Sequence, residues 1–340
     1  MVGAVEDAAK YAPDPGAQMK LAHDSGFRAI VLSAVWKDGA SAAADLPPLR
    51  RAVDAAAQEE VRPVLAVYQL SSATPADPAR REAFAAYAAA LAKDLPEVRD
   101  VIVGNEPNLN LFWQPQFDAS GGDQAALDYE ALLAATYDKL KAVDAELNVI
   151  GGALAPHGGD RPSSRPTHSP TQFIRDLGAA YRASGRTTPL MDALSMHVYG
   201  ESSHVPPTLQ HPRTTTIGIA DYRKLVALLG EAFDGTAQRG STLPVVYGEY
   251  GVETRIPAGK ASLYTGREVI EPVDEQTQAT YYVEAIYAAE RQPNVRMLFL
   301  FHVVDEPRLE GLQSATRYAD GSPKSSEAPV QAALESASAR

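Results

Sequence analysis

Cysteine is absent from this 340-residue sequence, so disulfides, thiolate metal sites and cysteine nucleophiles are all excluded. Tryptophan is scarce and occurs only as Trp36 and Trp113. No apolar stretch reaches the length of a membrane span, so a membrane is not expected as a partner. The first ten residues show no basic region followed by an apolar core. We therefore expect the protein to be cytoplasmic, or secreted with its signal already removed.

The sequence also carries little positive charge. It contains 31 Lys and Arg against 43 Asp and Glu, which gives a formal net charge of −12. An acidic chain without basic runs suits neither nucleic acid nor anionic lipid as a partner. Hydrophobic residues make up 45% of the chain, which is enough for a large core. No linker or low-complexity tract divides residues 1–340, so a single domain is expected.

Short apolar runs alternate with longer segments of helical period along the whole chain. The predicted strands are residues 2–5, 27–36, 62–70, 99–107, 148–156, 191–200, 243–251 and 295–304. The predicted helices are residues 15–24, 46–60, 78–94, 123–145, 171–184, 219–233, 274–291 and 326–338. Nearly every residue of a run is apolar, as in a parallel sheet that is covered on both faces. Eight such units predict an α/β fold, the (β/α)8 TIM barrel.

Aromatic and polar residues collect where the predicted strands end, and the connections that follow the last four strands are long. In a (β/α)8 barrel these strand ends and loops build the active site. Aromatic rings and hydrogen-bonding groups at one end of an apolar barrel suit a carbohydrate ligand. The residues concerned are Trp36, Tyr68, Asn105, Glu106, His197, Tyr199, Glu249 and His302, with Trp113 a few residues beyond Glu106. We expect Trp113 to be a sugar platform, and Trp36 either to contact the sugar or to fill the barrel.

Two glutamates stand at the ends of opposite strands. Glu106 follows the buried run "VIVGN", and Glu249 lies in "YGEYG", so strands 4 and 7 would present them across one cleft. A lone carboxylate at such a place is costly to desolvate. A pair of carboxylates in a cleft is the arrangement that cleaves glycosidic bonds, one as acid and the other as nucleophile or base. The sequence therefore predicts a glycosidase.

The stretches "GNEPN" on strand 4, "HVY" on strand 6 and "GEYG" on strand 7 together resemble clan A glycoside hydrolases, the group that includes families 5 and 39. This resemblance covers about residues 2 to 338 and implies a retaining hydrolase of β-linked sugars that needs no cofactor and no metal. It implies that Asn105 binds the sugar 2-hydroxyl, Glu106 is the acid/base and Glu249 is the nucleophile. It also implies that His197 lines the site and that Tyr199 hydrogen-bonds the nucleophile.

Two features of the clan pattern are missing. The end of strand 2 reads "SAVW" and has no arginine, and the stretch "FHVVDE" after strand 8 has no tryptophan, for which His302 or an aromatic residue from elsewhere in the chain is the candidate substitute. Two other classes stay open. A metal-dependent barrel enzyme needs several His, Asp and Glu ligands at adjacent strand ends, and most of the seven histidines fall in loops. A non-catalytic sugar-binding barrel would keep the aromatic residues and lose one of the two glutamates.

Overall fold

The computed structural model describes residues 1–338 and shows eight parallel strands closed into one barrel. The strands are β1 (Val2–Val5), β2 (Ala29–Val35), β3 (Arg62–Tyr68), β4 (Asp100–Val103), β5 (Asn148–Leu154), β6 (Ala193–His197), β7 (Val245–Tyr250) and β8 (Val295–Phe301). The barrel closes because the short strand β1 pairs with β2 on one side and with β8 on the other. The predicted (β/α)8 fold is confirmed.

The helices form a layer outside the barrel. Within residues 1–338 they are α1 (Ala8–Tyr11), α2 (Pro15–Asp24), α3 (Ala42–Gln58), α4 (Pro78–Asp94), α5 (Gln124–Val143), α6 (Pro170–Ser184), α7 (Tyr222–Phe233), α8 (Glu275–Glu290) and α9 (Glu327–Ser338). The sequence did not predict α1, a single turn. It placed the start of α3 at residue 46, whereas the helix begins at Ala42 and includes Pro47 and Pro48.

Two apolar layers hold the barrel together. Inside it, a small cluster of side chains from alternate strand positions fills the lumen, and Phe299 is its largest member. Outside it, the other strand faces pack against the helices in a much larger cluster. Gly3 shows how tightly the lumen is filled, because a Cβ atom there would lie 2.5 Å from the Ala29 carbonyl oxygen and 2.7 Å from the Phe299 ring. The apolar lumen leaves polar side chains room only at the ends of the strands.

The connections after β5 to β8 are long, as expected, and so is the connection between β4 and α5; all of them lie at the carboxyl-terminal end of the barrel. The strands themselves stop earlier at this end than the sequence predicted. β4 ends at Val103 rather than at 107, and β6 ends at His197 rather than at 200. The residues beyond these points leave the sheet and turn into the mouth of the barrel. None of the helices within residues 1–338 is long and apolar enough to cross a bilayer.

Candidate active site

Glu106 stands on a tight turn directly after β4. Gly104 has φ 86° and Glu106 has φ 40°, so the backbone leaves the extended conformation after Val103. A positive φ is strained for a non-glycine residue, and such strain persists only where the surroundings impose it. Here the Glu106 amide donates a hydrogen bond to the Ala153 carbonyl on β5, at 2.8 Å. The strand prediction overran because an apolar run does not reveal this turn.

Glu249 lies inside β7, next to the end of β6. His197 and Glu249 are partners in the register of the two strands, so their side chains lie side by side. His197 Nδ1 lies 2.9 Å from Oε1 of Glu106 and 3.4 Å from Oε2 of Glu249. One imidazole nitrogen therefore contacts both carboxylates, and these two oxygens can be no further apart than the sum of the two contacts. The structure brings together the two glutamates that the sequence placed across the mouth.

Tyr199 completes this group from the loop after β6. Its hydroxyl donates a hydrogen bond to Oε2 of Glu249 at 3.0 Å, and its ring lies edge-on to the His197 ring. Burial and the Glu249 charge raise the pKa of Tyr199 well above its usual value, so the hydroxyl remains a donor. This is the contact that the clan A resemblance implied for Tyr199.

The charges of the central group are interdependent. Burial raises the pKa of Glu249 and the Glu106 charge adds to this, against the opposing effects of His197 and Tyr199. Burial alone would lower the pKa of His197, but the two carboxylates outweigh it and the pKa is raised. Among the residues that the structure describes, His197 is the only cationic side chain in ion-pair contact with either glutamate. The raised pKa of His197 favours a positive charge between the two carboxylates.

His302 forms a second charged pair at the mouth, with Glu6. His302 Nδ1 lies 3.7 Å from Oε2 of Glu6, which directly follows β1. Burial opposes ionisation of both groups, yet each favours the charged form of the other, so the pKa of Glu6 is lowered and that of His302 is raised. The ring nitrogens of His302 are themselves buried, so His302 contributes a charge near Glu249 rather than an exposed ring.

Tyr68 and Asn105 lie at the same end of the barrel. Tyr68, the last residue of β3, is half-buried, and burial together with the charges of Asp7 and Glu249 raises its pKa. Its ring lies edge-on to Phe112 at a centroid distance of 6.2 Å. Asn105 is half-buried beside Glu106, and its side chain forms no hydrogen bond with any other part of residues 1–338. The Asn105 side chain is therefore free to contact a ligand, whereas the Tyr68 hydroxyl already has Ser33 as a hydrogen-bond partner.

The two tryptophans are not exposed to the cleft, and this corrects the sequence prediction. Trp113 is fully buried and lies edge-on to Tyr129 of α5 at 5.8 Å. Trp36 is also buried and packs against Phe84 of α4, so it belongs to the layer between barrel and helices. The position of Trp113 close to Glu106 suggested a sugar platform, but the loop folds its ring inward. The neighbouring Phe112 is half-buried.

Sequence reasoning missed several residues at the mouth. Glu6 could have been predicted, because it stands at the end of the first predicted strand as Glu106 stands at the end of the fourth. Lys10 is a buried cation in α1 that pairs with Asp7 at 2.9 Å and donates to the Ser33 carbonyl at 2.6 Å, and a one-turn helix gave no pattern to find it by. Across residues 1–338, no group of three or more His, Asp and Glu is arranged to hold a metal ion.

The chain is thus a (β/α)8 barrel protein with two glutamates at the carboxyl-terminal ends of its strands, an arrangement that suits acid–base chemistry.

No protein-family model and no curated protein sequence matches this chain. Several solved structures are similar to it. The GH39 enzyme of Xanthomonas axonopodis pv. citri is 17% identical with a TM-score of 0.60, over 99% of this chain and 66% of that one. A monomeric β-xylosidase of Caulobacter crescentus CB15 is 17% identical with a TM-score of 0.59, over 97% and 66%.

A GH5-4 broad-specificity endoglucanase from Clostridium longisporum is 12% identical with a TM-score of 0.59, over 95% of this chain and 85% of that one. The chain spans 66% of the length of each of the first two proteins. At these identities the similarity establishes the fold alone, a (β/α)8 barrel like that of these glycoside hydrolases. The resemblance stated from the sequence motifs is confirmed at that level.

Proposed function

We propose that the protein is a retaining glycoside hydrolase in which Glu249 is the nucleophile and Glu106 is the acid/base. The observation that carries this proposal is the contact of His197 Nδ1 with both carboxylates. These two contacts keep one oxygen of each carboxylate close to the other, which supports the roughly 5–5.5 Å separation between the carboxyl groups of retaining enzymes.

The reaction takes two displacements. In the first, a carboxylate oxygen of Glu249 forms a bond to the anomeric carbon while the bond to the leaving oxygen breaks and Glu106 donates its proton to that oxygen. In the second, Glu106 takes a proton from water, whose oxygen replaces Glu249 at the anomeric carbon. The sugar leaves with its original configuration. Both carboxyl groups return to their starting protonation states, and neither metal nor cofactor takes part.

The surrounding residues support these roles. Tyr199 and His197 hold Glu249 by a hydrogen bond and a charge, which favour the ionised nucleophile. His197 also bonds Glu106, so proton movement at either glutamate changes the field at the other. We propose that Asn105 and Tyr68, which have hydrogen-bonding capacity to spare, bind sugar hydroxyls, and that His302 acts as a charge beside the nucleophile. The proposed substrate is an oligosaccharide or polysaccharide, with β linkages as for the xylosidase and endoglucanase named above.

The test begins with a panel of aryl glycosides that differ in sugar and anomer. On a cleaved substrate, Glu249→Gly should abolish turnover, and azide or formate should restore part of it with an inverted product. Glu106→Ala should keep the first step on activated substrates and accumulate the glycosyl-enzyme, and azide should speed its breakdown to a retained product. These opposite stereochemical outcomes assign the two roles.

Glu130→Ala is the matched control, because Glu130 is a buried carboxylate on α5 at the outer layer of the barrel. This variant should retain the activity of the wild type. If the azide products had the opposite configurations in the two variants, the roles of Glu106 and Glu249 would be exchanged. If neither variant changed the activity, the reaction would take place elsewhere and the proposal would be wrong.

A further inference from the structure

The hydroxyl of Tyr129, in the second turn of α5, connects two strands at the mouth of the barrel. It donates a hydrogen bond to the Val103 carbonyl at 2.6 Å and accepts one from the Gly152 amide at 2.7 Å. Val103 is the last residue of β4, and Gly152 lies at the irregular end of β5. A single oxygen atom from the helix layer thus fixes both backbone segments.

These segments are the ones that hold Glu106. Glu106 follows Val103 by three residues, and its amide bonds the carbonyl of Ala153, the neighbour of Gly152. Both segments have left-handed backbone, with φ 86° at Gly104, 40° at Glu106, 87° at Gly152 and 48° at Ala153. Such conformations are unfavourable at Glu106 and Ala153, so they need outside support. The Tyr129 hydroxyl provides this support, because its two hydrogen bonds connect the two backbone segments.

The ring of Tyr129 is held as firmly as its hydroxyl. It is fully buried and lies edge-on to Trp113 at 5.8 Å, and Phe173 of α6 packs against it at 6.0 Å. A Cβ atom at Gly104 would lie 3.0 Å from this ring, so only glycine lets the turn pass over it. Burial raises the pKa of Tyr129, and the hydroxyl therefore stays protonated at every working pH. Trp113 belongs to this support rather than to a sugar platform.

We propose that Tyr129 is a positioning residue for the acid/base Glu106, and that its hydroxyl sets the distance of this carboxyl from the leaving-group oxygen. The inference rests on the proposed function of Glu106. It has a specific consequence, because proton donation matters most for a poor leaving group and little for an activated one. Loss of the Tyr129 hydroxyl should therefore impair the cleavage of the two kinds of substrate unequally.

The test compares Tyr129→Phe with Tyr181→Phe on a phenyl and a 2,4-dinitrophenyl glycoside of the same sugar. Tyr181 is a buried tyrosine of α6 whose hydroxyl donates to the Thr188 carbonyl, away from the site. For Tyr129→Phe, kcat/KM on the phenyl glycoside should fall about tenfold or more, a share of the roughly 10²–10⁴-fold that general acid catalysis supplies. Its kcat/KM on the activated substrate, which reports the first displacement alone, should stay near wild type. Tyr181→Phe should change neither rate, although both variants lose a buried hydrogen bond.

Equal losses on both substrates, or no loss, would overturn the positioning role. If Tyr129→Phe does not fold, Trp113→Phe is the alternative variant, because it loosens the packing around the aromatic ring of Tyr129 and keeps the Tyr129 hydroxyl. It should show the same leaving-group preference to a smaller degree. Glu106→Ala on the two substrates separates this inference from the proposed function. If Glu106→Ala shows no preference between leaving groups, the proposed function fails. If it does and Tyr129→Phe does not, only the inference about Tyr129 fails.

Discussion

Replacement of Tyr199 by phenylalanine is the sharpest single perturbation of the proposed nucleophile. It removes one oxygen atom, which donates a 3.0 Å hydrogen bond to Oε2 of Glu249, and leaves the aromatic ring in place. This hydrogen bond lowers the pKa of Glu249, whereas burial raises it. Without the hydroxyl, the pKa of Glu249 rises further, and a smaller fraction of the enzyme has an ionised nucleophile at acidic pH.

The size of the effect follows from the kind of bond that is lost. A hydrogen bond to a charged group contributes roughly 1.5–3 kcal/mol, and each 1.4 kcal/mol corresponds to about a factor of ten. On the acid side of the pH profile, kcat/KM of Tyr199→Phe should therefore be roughly 10- to 150-fold below wild type. The nucleophile works when ionised, so a raised pKa moves the acidic limb of the profile to higher pH. The deficit should shrink as the pH rises, because Glu249 then ionises without help.

The assay is kcat/KM against pH on an activated aryl glycoside, for which proton donation is not limiting. Tyr250→Phe is the matched control, because Tyr250 is the next residue on β7, is buried, and its hydroxyl has no hydrogen-bond partner within residues 1–338. Its profile should coincide with that of the wild type. A deficit of Tyr199→Phe that is the same at every pH, or an acidic limb that does not move, would refute the assignment of Tyr199 to ionisation of Glu249.

Three further results are expected. Exhaustive chelation with EDTA should leave the activity unchanged, because carboxylates carry the chemistry, and a loss that a divalent ion restores would favour the metal-dependent class instead. Lys324→Met should lower the free energy of unfolding in urea by roughly 3–5 kcal/mol because it leaves the buried Asp305 unpaired, whereas Lys260→Met at the surface should cost about 0–1 kcal/mol. Burial raises the pKa of Asp123 to about 8, so stability should fall as pH rises from about 4 to 8. Asp123→Asn should flatten this dependence in thermal unfolding, and an unchanged slope would contradict it.

Much of the fold could be predicted from the sequence because a parallel barrel has a repeated pattern. Each apolar run became a strand, and even the four-residue run at residues 2–5 took its place between β2 and β8. The meeting of Glu106 and Glu249 was predictable for the same reason, since it depends on strand order alone. The exact ends of β4 and β6 were not, because they are set by backbone turns rather than by hydrophobicity.

The sequence also did not predict which side chains of a loop point inward. Trp113 and Phe112 are adjacent, and nothing in "LNLFWQP" says which of them turns inward. The structure buries Trp113 and leaves Phe112 against Tyr68. The role of Tyr129 was hidden for another reason: it belongs to an ordinary helical pattern, and only the crossing of α5 over β4 and β5 brings its hydroxyl to both. Contacts between layers of a fold leave no local pattern in the chain.

The pairing of β1 with β8 has a consequence for how the protein reaches its working state. The first strand is flanked by a strand whose residues are made almost 300 positions later, and the α2–β2 turn is held by Arg317 and Glu327 through Ser25. Such long-range pairing makes folding slow, since the ends must meet before their contacts are gained. A ribosome-bound chain that stops short of β8 would hold Glu106, and even Glu249, on an open sheet. The proposed catalysis would then begin only when the barrel closes, and the onset of glycoside cleavage during synthesis would report that closure.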